Sequence, residues 1–412
     1  MPLRFSVLAV SAIFAITACG TGSQSDQPAA SPSTVTLTVG PPTPSPAPTG
    51  PAVATPVVGS VLAVPMPVAG TDGKTHLAYE LLLTNAISQE LTLTSVAAVA
   101  GDKDLLTLSG DDLANSTRRL GNPSPTATLR PSETARVWLD VALDESAGIP
   151  SDISHTVGIT VAEPVPPVIQ PTMTETIAAT VVDNRKPVTV SAPLTGNGWL
   201  AVNACCDMNP HRTAANPLNG ALWVAERYAI DYLRLTPDGR VFNGDKADLR
   251  SYPGFGADVH AVSDGTVVAA VDGLAEQVPG VTPTGLALDQ YAGNRVIQDI
   301  GGGNFVMYAH LQTGSVKVKA GDRLTTGQPL GNVGNTGNTD APHLHFQLMN
   351  SSDPLRSNGL PFAFERFRLD ARVAPIVDEI SDVPLPLQDG VTASEQSYRM
   401  PLNADVMTYQ GR

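Results

Sequence analysis

Apolar residues in this chain recur with a period of two, and no helix-length period stands out; that pattern restricts it to strands. In "HLAYELLLTN" (76–85) Leu77, Tyr79, Leu81 and Leu83 alternate with their neighbours. "RVWLDVAL" (136–143) repeats the pattern with Val137, Leu139, Val141 and Leu143, and "HTVGITVAEP" and "ETIAATVV" behave alike. Successive strand side chains face opposite ways, so each run can lay one apolar face on a core. Glycine and proline, 36 of each among 412 residues, punctuate the runs and weigh against a helical protein. The expected fold class is mainly β.

A chain of this length should hold two or three domains, and its hydrophobic fraction of 42% is adequate for real cores. From 58 to 190, short alternating runs are separated by turn-rich stretches such as "LGNPSPTA" and "DESAGIPSD". This reads as a β-sandwich, immunoglobulin-like in a broad sense, serving as a spacer or binding module. It holds no cluster of titratable groups, and His76 and His155 read as structural or surface residues. From 191 to 370 glycine becomes dense, strands stay short, and five of the seven histidines fall here. "GGGN" (301–304) is a hairpin turn with no helix after it, so it does not read as a phosphate loop. Residues 371–412 carry Pro-bounded apolar pieces and are expected to pack along the surface as an extended arm. The formal charge of −14 is spread out with no basic block. That argues against nucleic acid and against electrostatic capture by anionic lipid.

The first eighteen residues read as a signal peptide: Arg4 gives a positive start, and Phe5 to Ile16 is apolar but too short to span a bilayer. Ile16-Thr17-Ala18-Cys19 resembles the lipobox of bacterial lipoproteins. The resemblance implies cleavage before Cys19 and lipid on its thiol and new N-terminus. The protein would then be anchored on the extracytoplasmic face of the cell membrane. The alternative is an ordinary signal peptide cut after Ala18, which leaves Cys19 free. Residues 19–57 are rich in Pro, Ser, Thr and Ala, cannot bury a core, and read as a disordered tether. Two other cysteines exist, Cys205 and Cys206, and they are adjacent. In an oxidising compartment they can form a vicinal disulfide or remain free thiols; neighbouring thiolates do not easily reach one tetrahedral ion.

The chemistry concentrates in "APHLHFQLM" (341–349). On a strand His343 and His345 point the same way, roughly 6–7 Å apart, while Leu344 and Phe346 point into a core. Two imidazoles on one face suit a metal site, or one ligand beside one acid–base group. Possible partners are His211 in "NPHRTA", Asp231 in "RYAIDYL", His310 in "MYAHLQ" and His260 in "DVHAVS". Asp231 faces away from Tyr228, Ile230 and Tyr232. A catalytic zinc takes three protein ligands and keeps one position open, and two His with one carboxylate fit that need.

"RYAIDY", "YAHL", "GDRLTTGQPLGNVGNTGNTDAPHLHFQL" and "SNGLPFAFERF" together resemble the lysostaphin/LytM-type zinc endopeptidases. The match covers about residues 185–370. The resemblance implies an antiparallel β-sheet peptidase domain, one Zn2+ ion, and peptide bonds of cell-wall peptidoglycan as substrate. It places His211, Asp231 and His345 as metal ligands, and His310 and His343 as catalytic residues. One departure stands out. The family's common first motif is H-x-x-x-D, yet Arg227 stands four before Asp231, and the nearest upstream His is His211, twenty residues earlier. His260 reads as a groove or surface residue. "VKAGDRLTTGQPLG" also resembles the turns of lipoyl and biotinyl carrier domains, but there is no modifiable Lys at a hairpin tip and the histidines would go unexplained. The expected function is a membrane-tethered zinc metalloendopeptidase of the cell wall. The alternative is a non-catalytic LytM-like domain that binds or activates another wall hydrolase; the complete ligand set favours the enzyme.

Overall fold

The computed structural model describes residues 52–375 and 382–411. Cys19, the signal segment and most of the expected tether lie outside the described residues.

Two five-stranded antiparallel sheets form the N-terminal part. One orders Val57–Val61, Lys74–Asn85, Thr134–Asp144 and Thr117–Arg119, with Pro67–Ala69 on the flank of the second strand. The other orders Thr172–Val181, Asp152–Val161, Leu91–Ala100 and Lys103–Ser109, with Thr128–Leu129 beside the third. The alternating residues Leu77, Tyr79, Leu81, Leu83, Val137, Leu139 and Val141 all enter the core between them, with Val157 and Ile159 opposite. Alternation therefore places this core correctly. The two histidines of this part are buried and hydrogen-bonded: His76 sits between Asp72 and Asp140, and His155 meets the Tyr79 hydroxyl at 2.9 Å.

The second part is built on one twelve-stranded sheet. Its middle runs Phe362–Arg372, Asp405–Tyr409, Gly196–Val202, Ile230–Arg234, Leu344–Met349, Phe305–Leu311, Asn294–Asp299 and Gly265–Val271. Trp199, Tyr232, Tyr308, Phe346, Phe362, Phe364 and Phe367 fill the core on one side of it. Helix is scarce, as the glycine and proline content implies: the α-helices among the described residues are Gly110–Asn115 and Pro210–Thr213.

The C-terminal stretch differs from the extended surface arm expected of it. Ser394–Arg399 pairs with Phe362–Arg372, and Asp405–Tyr409 lies inside the sheet, between Phe362–Arg372 and Gly196–Val202. Met407 and Tyr409 reach the core of the neighbouring domain, and the Tyr409 hydroxyl lies 3.0 Å from that of Tyr232. The pieces of 371–412 were too few to form a core alone; they complete one that the preceding domain leaves open. Replacing Tyr409 with Ala is expected to lower stability by about 3–5 kcal/mol, and Tyr409→Phe by about 1 kcal/mol. Urea titration of the two variants checks this; a surface arm would give a small loss in both.

Candidate metal centre and active site

Sheet register brings the site together. Asp231 on Ile230–Arg234 lies directly opposite His345 on Leu344–Met349, and His345 is opposite Ala309, the neighbour of His310. Leu344 and Phe346 point into the core, as Tyr228, Ile230 and Tyr232 do, so Asp231 and His345 share the other face. His343 sits just before its strand, in a bridge with Gly334. His211 comes from the single-turn helix Pro210–Thr213, started by Pro210 and capped by Asn209, whose side chain accepts from the Arg212 amide at 3.0 Å.

The five residues form one cluster, with His343 half-buried and the other four buried. His310 and His343 rings are 4.8 Å apart, His211 and His345 4.8 Å, and His310 and His345 5.7 Å. Asp231 faces three of the imidazoles: Nε2 of His211 at 3.1 Å, Nδ1 of His345 at 2.8 Å and Nε2 of His343 at 3.3 Å. Burial alone would raise its carboxyl pKa, but His211 and His343 hold it well below the usual carboxylate range. Burial likewise opposes charge on His211, yet the Asp231 carboxylate lifts its pKa to about 9. His343 is raised against the same burial penalty, chiefly by Asp231. His310 goes the other way, well below the ordinary imidazole value, through burial and the neighbouring His343 and His345.

The outer hydrogen bonds decide which nitrogen of each ring faces inward. Nδ1 of His211 donates to the carbonyls of Asn203 and Ala229 at 2.9 and 3.3 Å, leaving Nε2 towards Asp231. Nε2 of His345 donates to Oε1 of Gln347 at 2.9 Å, leaving Nδ1 inward. Nδ1 of His310 meets the Thr336 carbonyl at 2.7 Å, and Nδ1 of His343 the Ala341 carbonyl at 2.8 Å. Nε2 of His343 is buried without a hydrogen bond. Asn203 also donates to Oδ2 of Asp231 at 2.9 Å.

This arrangement fits a metal. Ligand atoms of His211, Asp231 and His345 lie within 4.8 Å of one another, as do those of His310, His343 and His345. In the first trio two ring nitrogens, Nε2 of His211 and Nδ1 of His345, face carboxylate oxygens of Asp231. Acceptors facing acceptors at such distances need a proton or a cation between them. Two imidazoles and a carboxylate are a donor set that divalent transition metals accept.

The backbone is shaped to the same end. His310 has φ of 59°, a left-handed conformation that costs a non-glycine residue energy and recurs at functional positions. Its carbonyl partner Thr336 sits in the glycine loop. There a Cβ on Gly337 would lie 2.4 Å from the Gly293 nitrogen, so only glycine lets the two loops touch.

The sequence-expected residues His211, Asp231, His310, His343 and His345 therefore meet at one place. His260 belongs to none of the metal-capable groups among the described residues. Cys205 and Cys206 are joined to each other by a disulfide in the loop that leads to His211. Arg227, standing where the resembled family has its first His, is buried and turned away from the site, onto Glu80. Sequence reasoning missed Gln347 and Asn203. Gln347 had a signal, because it lies two after His345 and so shares its face; Asn203 had none.

Residues 248–357 match the model of Peptidase family M23, a span that includes His310, His343 and His345. The chain is 39% identical over 67 residues to the peptidoglycan DD-endopeptidase ShyA of Vibrio cholerae, covering 16% of this chain and 15% of that protein. It is 39% identical over 98 residues to the glycyl-glycine endopeptidase ALE-1 of Staphylococcus capitis, covering 24% and 22%. It thus spans less than a quarter of the length of either curated relative. The catalytic domain of lysostaphin from Staphylococcus simulans is 23% identical, with 41% of this chain and 88% of that one covered and a TM-score of 0.21. With this match falling on the very loop and strands that carry three of the five clustered residues, the chain contains a Peptidase family M23 domain.

Proposed function

We propose that this protein is a membrane-tethered zinc metalloendopeptidase that cuts peptide bonds of cell-wall peptidoglycan. The observation that carries the reading is the joint presence of a three-ligand set, His211, Asp231 and His345, and two further imidazoles, His310 and His343, opening on the same point. A catalytic zinc site needs three protein ligands and a free position, and this donor set supplies them. The activities for which ShyA and ALE-1 are named support wall peptide as the substrate class. They name different bonds, so the proposal covers the class and not one bond.

A bound zinc ion supplies Lewis acidity, which activates water and polarises an amide carbonyl. The rest falls to the chain. With Nδ1 tied to the Ala341 carbonyl, His343 presents Nε2 to the site, where it can take a proton from water and return one to the departing amine. His310, locked by Nδ1–H to the Thr336 carbonyl and kept neutral by burial, presents an unprotonated Nε2 beside it, an acceptor that can hold the attacking water in place. Gln347 and the Asn203 carbonyl keep the ligand rings oriented. Burial of His211, Asp231, His310 and His345 limits competing water, while His343 is partly exposed. Cys19 would carry the lipid, and residues 19–57 would give the domains reach from the membrane.

Three outcomes follow. His211→Ala and Asp231→Ala should lose zinc equally, measured by metal analysis of the purified variants; near wild-type zinc in His211→Ala would sink its role as ligand. His343→Ala should keep zinc yet release wall peptides roughly 100-fold more slowly or worse. Mass spectrometry of digested peptidoglycan reads this, and a zinc-loaded wild-type protein that exposes no new amino groups would refute the activity. Cys19→Ser should move the protein from the membrane to the soluble fraction without unfolding it; continued membrane association would mean a different anchor.

A further inference from the structure

The sandwich domain reaches the metal site. Glu80, in the middle of Lys74–Asn85, is fully buried. Its two carboxylate oxygens each lie 3.0 Å from Nε of Arg227, and Nη2 of Arg227 makes a further short contact. Nη1 of Arg212 is 3.6 Å away. Both arginines belong to the peptidase part and are almost wholly buried, at 2% exposure for Arg212 and 4% for Arg227. Nε and Nη1 of Arg212 have no hydrogen bond, so the Glu80 charge is what balances that guanidinium. Removing one partner of such a buried pair leaves the others uncompensated.

The adjacent sandwich strand, Thr134–Asp144, holds the backbone of the same segment. Trp138 donates its indole N–H to the Arg212 carbonyl at 2.6 Å, and Arg136 donates to the Thr213 carbonyl at 2.8 Å. Arg212 donates back to the Leu139 carbonyl at 3.2 Å. The segment gripped in this way is the one-turn helix Pro210–Thr213 that carries His211. A single turn has no stability of its own. Its position comes from what holds it: Asn203 and Ala229 on one side of His211, the sandwich on the other.

We propose that Glu80 and Trp138 are positioning residues for His211, and that the metal affinity of the peptidase site depends on the docked sandwich domain. Arg227, at the place where the resembled motif has a ligand, serves the docking instead. This inference rests on the proposed metal site and adds to it a second domain as part of the apparatus.

The test compares zinc affinity of the full chain, by competition with a chromophoric chelator, in wild type, Glu80→Gln, Trp138→Phe and Leu93→Ala. The last is a sandwich-core change on the opposite sheet, away from the clamp. Cobalt(II) absorption of each variant reports the ligand set. Glu80→Gln and Trp138→Phe are expected to bind zinc about 10-fold more weakly, the usual scale for losing an outer partner of a ligand, with an altered cobalt spectrum. Leu93→Ala should melt earlier but bind zinc like wild type while folded. Wild-type zinc affinity in folded Glu80→Gln and Trp138→Phe would overturn the proposal, as would an equal loss in Leu93→Ala. Should Glu80→Gln fail to fold, Trp138→Phe decides, since it removes one N–H and keeps most of the ring. A wild-type chain that binds no zinc would overturn the metal reading itself, and this inference with it; zinc binding lost in His211→Ala but kept in both clamp variants would overturn the inference alone.

Discussion

A carboxylate removed from water has to be met by positive charge or donors, and at the candidate metal site that demand falls on Asp231. Three imidazoles and the Asn203 amide converge on its two oxygens. Satisfying it sets the register of Ile230–Arg234 against Leu344–Met349, because a slip of one residue would turn His345 into the core and Phe346 towards the carboxylate. It also requires the loop through Asn203 to fold back so that His211 can arrive from outside the sheet. The left-handed backbone at His310 and the glycine contacts behind Thr336 are the same demand expressed in φ angles and close packing.

Much of this was legible in the chain. Alternation marked Lys74–Asn85 and Thr134–Asp144 as strands and named their core-facing residues. The H-x-H spacing put two imidazoles on one side, and the parity of Asp231 against Tyr228, Ile230 and Tyr232 put its carboxylate on the site side. What alternation could not reveal was a second covering layer. Glu80 stands on the face of its strand that the period-two rule gives to water, and that face is covered by another domain. Asn203 and Gln347 act through partners set by register and loop return, which no local window contains. The terminal pieces lacked enough apolar residues to suggest a core, since the core they enter is made by residues two hundred positions upstream, such as Trp199.

The family match begins at residue 248 and therefore omits His211 and Asp231. The segment it omits is also the one where this chain departs from the resembled motif, with Arg227 in place of a His. The departure and the docking coincide in space. Arg227 and Arg212 both end on Glu80, so the segment that departs from the resembled motif is the one in contact with the sandwich.

The order of strands has a consequence for how the molecule comes into being. Asp405–Tyr409 separates Phe362–Arg372 from Gly196–Val202, so both strands that flank it in the finished sheet are made before it, Gly196–Val202 about two hundred residues earlier. Until residue 409 is free, each offers an open edge to any other chain. Gly196–Val202 also borders the strand of Asp231 and leads into the loop of His211. A chain in which Asp405–Tyr409 has not yet paired thus leaves the strand beside that of Asp231, and the start of the His211 loop, supported from one side only.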